Sequence, residues 1–104
     1  MHAEVLKGHV DLLLLAALAR EEAHGYRIVE LLRARSGGVF DLAEGTVYPA
    51  LYRLERGGLV TSRWEVVEGR RRRVYRLTRR GEGSLLARRR VWERYADGMT
   101  AVLA

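Results

Sequence analysis

Apolar residues recur at helical spacing in three successive stretches of the first 56 residues. Residues 9–20, about Tyr26–Arg35 and about Ala43–Arg56 place them at intervals of three and four, the pattern of an amphipathic helix. Gly37-Gly38 and Gly57-Gly58 follow the second and third stretches, and glycine commonly follows the last turn of a helix. The pattern therefore predicts three short helices.

The first of these helices is apolar on almost every side. Val10, Leu14 and Leu18 form one stripe, while Leu12 and Leu15 fill much of the opposite side. A helix of this kind must be covered on more than one face. In a chain this short we expect the second cover to be another subunit, with Leu12 and Leu15 at the interface.

After residue 59 the period of the pattern changes from helical to two. Residues 60–67 and 72–77 alternate in this way and are rich in β-branched and aromatic side chains, as strands are. The link Glu68-Gly69-Arg70-Arg71 is short and contains glycine, which predicts a β-hairpin. Its tip is expected to hold the arginines Arg70, Arg71, Arg72 and Arg73.

A fourth helix is predicted from Thr78, which suits an N-cap, to about Leu103. Its apolar residues repeat at seven, with a second set offset by three, which is an a/d seam interrupted by Arg88. We expect this seam to form a dimer interface against the first helix of the fold. The residues of the seam are Leu85, Trp92, Tyr95, Met99 and Val102.

Charge is distributed unevenly along the 104 residues, whose formal net charge is +6. Residues 1–62 contribute a net charge of −1, whereas residues 63–94 hold 12 arginines and 4 glutamates, a net charge of +8. The net charge alone permits a nucleic acid, a membrane surface or an acidic protein as partner. Its concentration on the predicted hairpin and the start of the last helix favours a polyanion that contacts the hairpin.

Composition excludes several classes. With 48% hydrophobic residues the chain is too apolar for a disordered polycation, and its longest apolar run, Leu12–Ala19, is too short to span a bilayer. The absence of cysteine excludes disulfides and thiolate chemistry and is consistent with the cytoplasm. The histidines His2, His9 and His24 show no metal-ligand spacing, and no nucleophile–base pair appears. We therefore expect no enzyme and no cofactor.

Three short helices followed by a hairpin is the order of a winged helix-turn-helix. The expected architecture is mainly α with a small β-hairpin: residues 1–78 form the DNA-binding domain and residues 79–104 a C-terminal dimerisation helix, in one compact unit. In such folds the third helix enters the major groove and the hairpin lies along the phosphate backbone.

Several short segments stand in order at close spacing along the chain. They are Leu6-Lys7-Gly8, His24-Gly25-Tyr26, Glu44–Leu51, Leu54-Glu55, Gly58-Leu59-Val60 and Tyr75-Arg76-Leu77-Thr78. By these segments the chain resembles the PadR family of bacterial transcriptional regulators over nearly its whole length, and its single last helix resembles the short PadR subfamily. Ala43 stands where the family often has serine, so the third helix is expected to lack a good N-cap.

This resemblance implies a sequence-specific DNA-binding regulator, a ligand-responsive repressor that acts as a homodimer on a palindromic operator in double-stranded DNA. Similar family members bind planar aromatic or drug-like molecules near the dimer interface, sometimes between paired tryptophans. By that resemblance Trp92, Tyr95 and Met99 are candidates for an effector site.

The expected DNA contacts lie at the start of the third helix and on the hairpin. Thr46 could instead cap the helix, Tyr48 could be partly buried, and the arginine run could be a solvated surface; these alternatives stay open. Pro49 lies inside the helix, where Gly45 relieves its steric conflict with the preceding turn. The candidate contacts are Gly45, Thr46, Tyr48, Pro49, Arg53, Arg63, Arg70, Arg71, Arg72 and Arg73.

Two other functions are compatible with a basic domain of this size. The first is a protein-interaction module whose basic patch binds an acidic partner without sequence-specific DNA binding. The second is an RNA-binding domain, which the scarcity of exposed aromatic residues on a sheet face disfavours.

Overall fold

A computed structural model describes residues 9–104, so the motif Leu6-Lys7-Gly8 and His2 lie outside the described residues. Within residues 9–104, four helices and a two-stranded antiparallel sheet follow one another in the expected order, mainly α with a small β-hairpin. Their bounds are α1 Val10–Arg20, α2 Gly25–Arg35, α3 Glu44–Arg56, β1 Val60–Val67, β2 Arg70–Leu77 and α4 Arg79–Leu103.

The hairpin formed by β1 and β2, called the wing below, is tighter than the sequence predicted. The pairing runs from Val60 opposite Leu77 to Val67 opposite Arg70, so the turn consists only of Glu68 and Gly69. Both turn residues have positive φ, 53° and 76°, as the tightest hairpin turns require. The placement of Arg70 and Arg71 in the loop was therefore wrong, because both belong to β2.

The core surrounds α1, which packs against α2, α3, α4 and β2 of its own chain. Leu15 has 0% exposure, so the prediction that it meets a partner subunit was wrong: the same chain covers it. Leu85 of α4 is also buried in this core, which leaves little of its side chain for a partner. Leu12 is only half-buried and keeps an exposed edge.

The start of α4 is fixed to the loop that follows α3. The hydroxyl of Thr78 accepts a hydrogen bond from the N–H of Gly81 at 3.0 Å and donates one to the carbonyl of Gly58 at 2.6 Å. Thr78 is thus the N-cap that the sequence predicted. Among the described residues, no residue of α4 beyond Leu85 is buried. Neither α4 nor any other helix in residues 9–104 is long and apolar enough to cross a membrane.

Candidate nucleic-acid interface

The helix α3 has one buried and one exposed face. Val47, Ala50, Leu51 and Leu54 lie in the core. The opposite face is open to solvent, and its residues are spaced by three and four, which places them on one side of the helix. The exposed residues of this face are Gly45, Tyr48, Pro49, Tyr52 and Arg56.

The N-terminus of α3 has no side-chain cap. Ala43 is the N-cap residue and makes no side-chain hydrogen bond, as its methyl side chain dictates. Thr46 lies three residues inside the helix and is half-buried, so the alternative that Thr46 caps α3 was wrong. The helix start thus presents backbone N–H groups and the dipole of the helix, which together favour a phosphate or another anion.

Tyr48 both packs and remains accessible. A Cβ atom added to Gly25 would lie 2.7 Å from Cε1 and Cζ of its ring, so the ring rests on the start of α2. The residue nevertheless keeps 41% of its surface exposed. The structure therefore combines the two alternatives that the sequence left open, partial burial and an accessible face.

Tyr52 belongs to the same exposed face, although the sequence reasoning assigned it no role. It is 62% exposed, and the guanidinium of Arg56 lies 5.7 Å from the centre of its ring. Its spacing of four from Tyr48 was the signal that could have identified it, because residues four apart lie on one side of a helix.

Arg53 is engaged within the fold. Its Nη2 donates a hydrogen bond to Oδ1 of Asp11 on α1 at 2.5 Å, and Nη1 of Arg88 on α4 lies 3.8 Å from the other oxygen of Asp11. One carboxylate thus joins α1 to α3 and to α4. This arrangement gives Arg53 a role in positioning α3.

The two faces of the wing differ in their surroundings. Side chains alternate between faces along a strand, and the register of β1 and β2 assigns each residue to one of them. The face toward α3 holds Ser62, Trp64, Val66, Arg71, Arg73 and Tyr75. The other face holds Arg63, Glu65, Val67, Arg70, Arg72 and Val74.

Arg63 is paired with acidic side chains on this second face. It donates to Glu22 of the α1–α2 link at 2.8 Å and also contacts Glu65. The hydrogen bond that Arg63 donates to Glu22 is the main cause that raises the pKa of Arg63 above its ordinary value. The sequence analysis placed Arg63 among the DNA contacts. In the structure its side chain lies beside the link between α1 and α2.

A cleft of about 410 Å³ lies between α1 and α4. The ring of Trp92 meets that of His9 edge to face, with 5.3 Å between centroids, and stacks with Tyr95 at 5.8 Å. Met99 and Val102 continue the exposed apolar row along α4 beyond the cleft. The lining residues are His9, Leu12, Ala87, Arg88, Val91, Trp92 and Tyr95.

Comparison with known proteins agrees with this geometry. The model of the transcriptional regulator PadR-like family matches residues 14–87. Transcriptional regulator Rv3488 of Mycobacterium tuberculosis is 41% identical over 93 residues, which cover 89% of this chain and 84% of that protein.

Solved structures show the same fold. A transcriptional regulator from Clostridium thermocellum superposes with a TM-score of 0.85 at 28% identity, covering 96% of this chain and 95% of the other. A PadR family transcription regulator from Clostridium difficile R20291 gives a TM-score of 0.79 at 31% identity, covering 92% and 99%. The chain therefore belongs to the PadR-like family, and it is a DNA-binding transcriptional regulator with a winged helix-turn-helix fold and not an enzyme.

Proposed function

We propose that the protein is a cytoplasmic, ligand-responsive repressor that binds a palindromic operator as a homodimer. The observation that supports this most directly is the row of exposed apolar residues on α4 beyond Leu85, from Trp92 to Val102. Residues 1–78 would form the DNA-binding domain and residues 79–104 the dimerisation helix, with Leu85 anchoring the helix to its own domain.

The row on α4 is large for a surface that faces only water. Trp92, Tyr95, Met99 and Val102 are all exposed, on a helix of 25 residues, about 37 Å long at the usual rise. Exposed apolar surfaces of this extent mark interaction sites. A second copy is the occupant we favour, because a symmetric pair buries the same row on both chains at once.

Two-fold symmetry has a direct consequence for the DNA site. A dimer of helix-turn-helix domains places two recognition helices in successive major grooves, about 34 Å apart, which requires inverted half-sites. Gly45, Thr46, Tyr48 and Pro49 of α3 would then face base edges. Arginines of the wing would contact phosphates, which position the protein without reading sequence.

The cleft beside Trp92 is where we expect an effector to bind. Aromatic faces stack on flat ligands, and Trp92 and Tyr95 already stack on one another. In a dimer the two Trp92 side chains would approach through the α4 row, with Met99 close by. A bound ligand would change the angle between the α4 helices and hence the distance between the two recognition helices.

The dimer is tested by light scattering on the purified protein with a matched pair of variants. Met99→Glu places a charge on the row and should give monomers. Ala101→Glu adds the same charge on the opposite side of α4, about 200° around the helix, and should remain dimeric. A wild-type protein that is monomeric at all accessible concentrations contradicts the proposal.

The operator is tested by selection from random duplex DNA at moderate salt. We expect an inverted repeat, and we expect Thr46→Ala to weaken binding to it more than binding to random DNA. Transcription from a promoter that contains the repeat should fall when the protein is added. Selection of no sequence at all would favour the alternative of a basic protein-interaction module.

The effector is tested by titrating planar aromatic compounds and following tryptophan emission. Because the chain has two tryptophans, the measurement uses a Trp64→Phe background in which Trp92 is the only reporter. Quenching accompanied by release of DNA supports the proposal. A Trp92→Ala protein whose DNA binding still responds to the same compound excludes this cleft.

A further inference from the structure

The four consecutive arginines of the wing divide into two pairs. Strand alternation puts Arg71 and Arg73 on the face that also holds Trp64, and it puts Arg70 and Arg72 on the opposite face. The sequence presents these arginines as one uniform run, so the division appears only once the register is known. The two pairs differ in their links to α3, in their contact with Trp64 and in their acidic neighbours.

The pair on the Trp64 face is linked to the recognition helix. Nε of Arg73 donates a hydrogen bond to Oγ of Ser62 at 2.8 Å, and Oγ of Ser62 donates to Oε2 of Glu55 at 2.7 Å. Nη2 of Arg73 also lies 4.0 Å from the same carboxylate oxygen. Since Glu55 belongs to α3, this chain of contacts fixes the Trp64 face of the wing relative to the helix.

Trp64 orders both guanidinium groups. Their carbon atoms lie 4.9 Å (Arg71) and 5.3 Å (Arg73) from the centre of the Trp64 ring, within the range of cation–π attraction. Trp64 itself is 53% exposed, so its purpose is not to fill the core. Among residues 9–104, Arg71 has no carboxylate within ion-pair distance, as is also true of Arg70 and Arg72, so its charge is available for an anion and its contact with Trp64 is what distinguishes it.

The opposite face has acidic neighbours. Arg72 stands directly across from Glu65 in the sheet, and Arg63 on the same face pairs with Glu22. This face lines a polar cleft that also contains Glu21, Glu30 and Glu68. Five carboxylates outnumber the three arginines of this cleft, Arg27, Arg63 and Arg72, so this side of the wing is less favourable for a phosphate.

We propose that Trp64 positions Arg71 and Arg73 as a clamp that binds the phosphates of the DNA strand lying between α3 and the wing. Arg70 and Arg72 take no part in this clamp. The inference rests on the proposed placement of α3 in the major groove. With α3 in the major groove, the phosphates of the adjoining DNA strand lie in the gap between α3 and the Trp64 face of the wing. Trp64 is the positioning residue, since it reduces the conformational freedom that each arginine would lose on binding.

A pair of double variants with equal charge tests the clamp. Arg71→Gln with Arg73→Gln and Arg70→Gln with Arg72→Gln each remove two charges from the same strand. Binding to a duplex of fixed random sequence is measured at several salt concentrations. We expect the first variant to bind at least about tenfold more weakly and its log–log salt slope to fall by about two units, one per lost phosphate contact. The second variant should stay close to wild type in both respects.

The outcomes separate this inference from the proposed function. Equal weakening by the two variants, or stronger weakening by Arg70→Gln with Arg72→Gln, overturns the clamp. A wild-type protein that fails to bind any duplex overturns the proposed function, whatever the variants do.

Substitutions of Trp64 test the positioning role itself. Trp64→Leu keeps an apolar side chain but removes the π face, and should reduce both affinity and salt slope while the melting temperature stays near that of wild type. Trp64→Phe should restore most of the slope. A Trp64→Leu protein with an unchanged slope, or a slope that Trp64→Phe does not restore, contradicts the proposed role.

Discussion

The ring of Tyr48 on α3 lies against the backbone of Gly25, the first residue of α2. A Cβ atom at Gly25 would be 2.7 Å from Cε1 and Cζ of Tyr48 and 2.9 Å from its hydroxyl. The absence of a side chain at residue 25 thus allows the ring of Tyr48 to approach the backbone of α2 closely. This contact sets the direction in which the phenol points at the exposed face of α3.

Gly25→Ala should therefore alter DNA binding more than stability. The clashing atoms are the far end of a half-exposed side chain, which can move aside, so the added methyl group should cost little stability. We expect a melting temperature near that of wild type and weaker operator binding. In a Tyr48→Ala background the same substitution should not weaken binding further. If it does, the effect does not pass through Tyr48.

Gly81 on α4 presents the opposite case, because its neighbour is backbone. A Cβ atom there would lie 1.9 Å from the carbonyl oxygen of Leu59, which is held in place by its hydrogen bond from the N–H of Thr78 at 3.1 Å. Gly81→Ala should lower the free energy of unfolding by about 1–3 kcal/mol or more, as overpacking does.

The matched control is Gly83→Ala, two residues further along the same helix. Apart from its chain neighbours and the backbone of its own helix, no heavy atom of the described residues would lie within 4 Å of a Cβ at Gly83. That variant should gain about 0.5–1 kcal/mol from helix propensity. Urea unfolding of both proteins measures the difference, and a Gly81→Ala protein as stable as Gly83→Ala would contradict the close approach of α4 to Leu59.

The elements of this fold could be predicted because each has its own local signal. The helical spacing, the glycines after α2 and α3, the change to period two at Val60 and the cap at Thr78 all depend on neighbouring residues. The prediction for Leu15 was wrong for a different reason. An apolar side chain shows that a residue will be covered, but only the tertiary arrangement decides whether its own α4 or another subunit covers it.

The candidate interface shows the same division. The start of α3 was identified from its motif, and the wing from its charge. The engagement of Arg53 with Asp11 was not predictable, since 42 residues separate the two in sequence. The assignment of Arg70 and Arg71 to faces of the sheet depended on a turn of two residues instead of four, because a side chain alternates between faces only where it belongs to a strand.

The contact between Asp11 and Arg53 leads to a prediction about α3. Asp11 is the better buried partner, and Asp11→Asn should lower the free energy of unfolding by about 1 kcal/mol, the upper range for partly exposed pairs. Asp41→Asn is the control and should cost less, because Asp41 and its partner Arg33 are both more than half exposed. Urea unfolding at low and high salt measures both, and the difference should shrink at high salt.

Arg53→Gln separates a positioning role from a DNA contact. If Arg53 only holds α3 against α1, the variant loses stability as Asp11→Asn does and keeps the salt slope of DNA binding. A slope smaller by about one unit would instead show a direct phosphate contact. The double variant Asp11→Asn with Arg53→Gln should lose less stability than the sum of the two single losses, because both substitutions remove the same interaction.

His24 caps α2 in its neutral form, which makes the stability of the fold depend on pH. Its Nδ1 accepts a hydrogen bond from the N–H of Arg27 at 3.3 Å. Burial is the main cause that lowers the pKa of His24 below 6.5, and Arg72 and Arg27 lower it further, whereas Glu68 and Glu30 oppose them. A lowered pKa means that the unfolded chain takes up the proton first as the pH falls.

The contribution of His24 to the free energy of unfolding should therefore have its full value above pH 6.5. It should decrease as the pH falls below that value, until His24 is protonated in the folded protein as well. His24→Asn supplies a capping oxygen that does not titrate near neutrality, so this variant should lose less stability between pH 7.5 and pH 5.5, about one unit either side of an ordinary histidine pKa. Urea unfolding at both values measures the loss for each protein. An equal loss in wild type and variant would show that other groups cause the pH dependence, because the variant differs only in the imidazole.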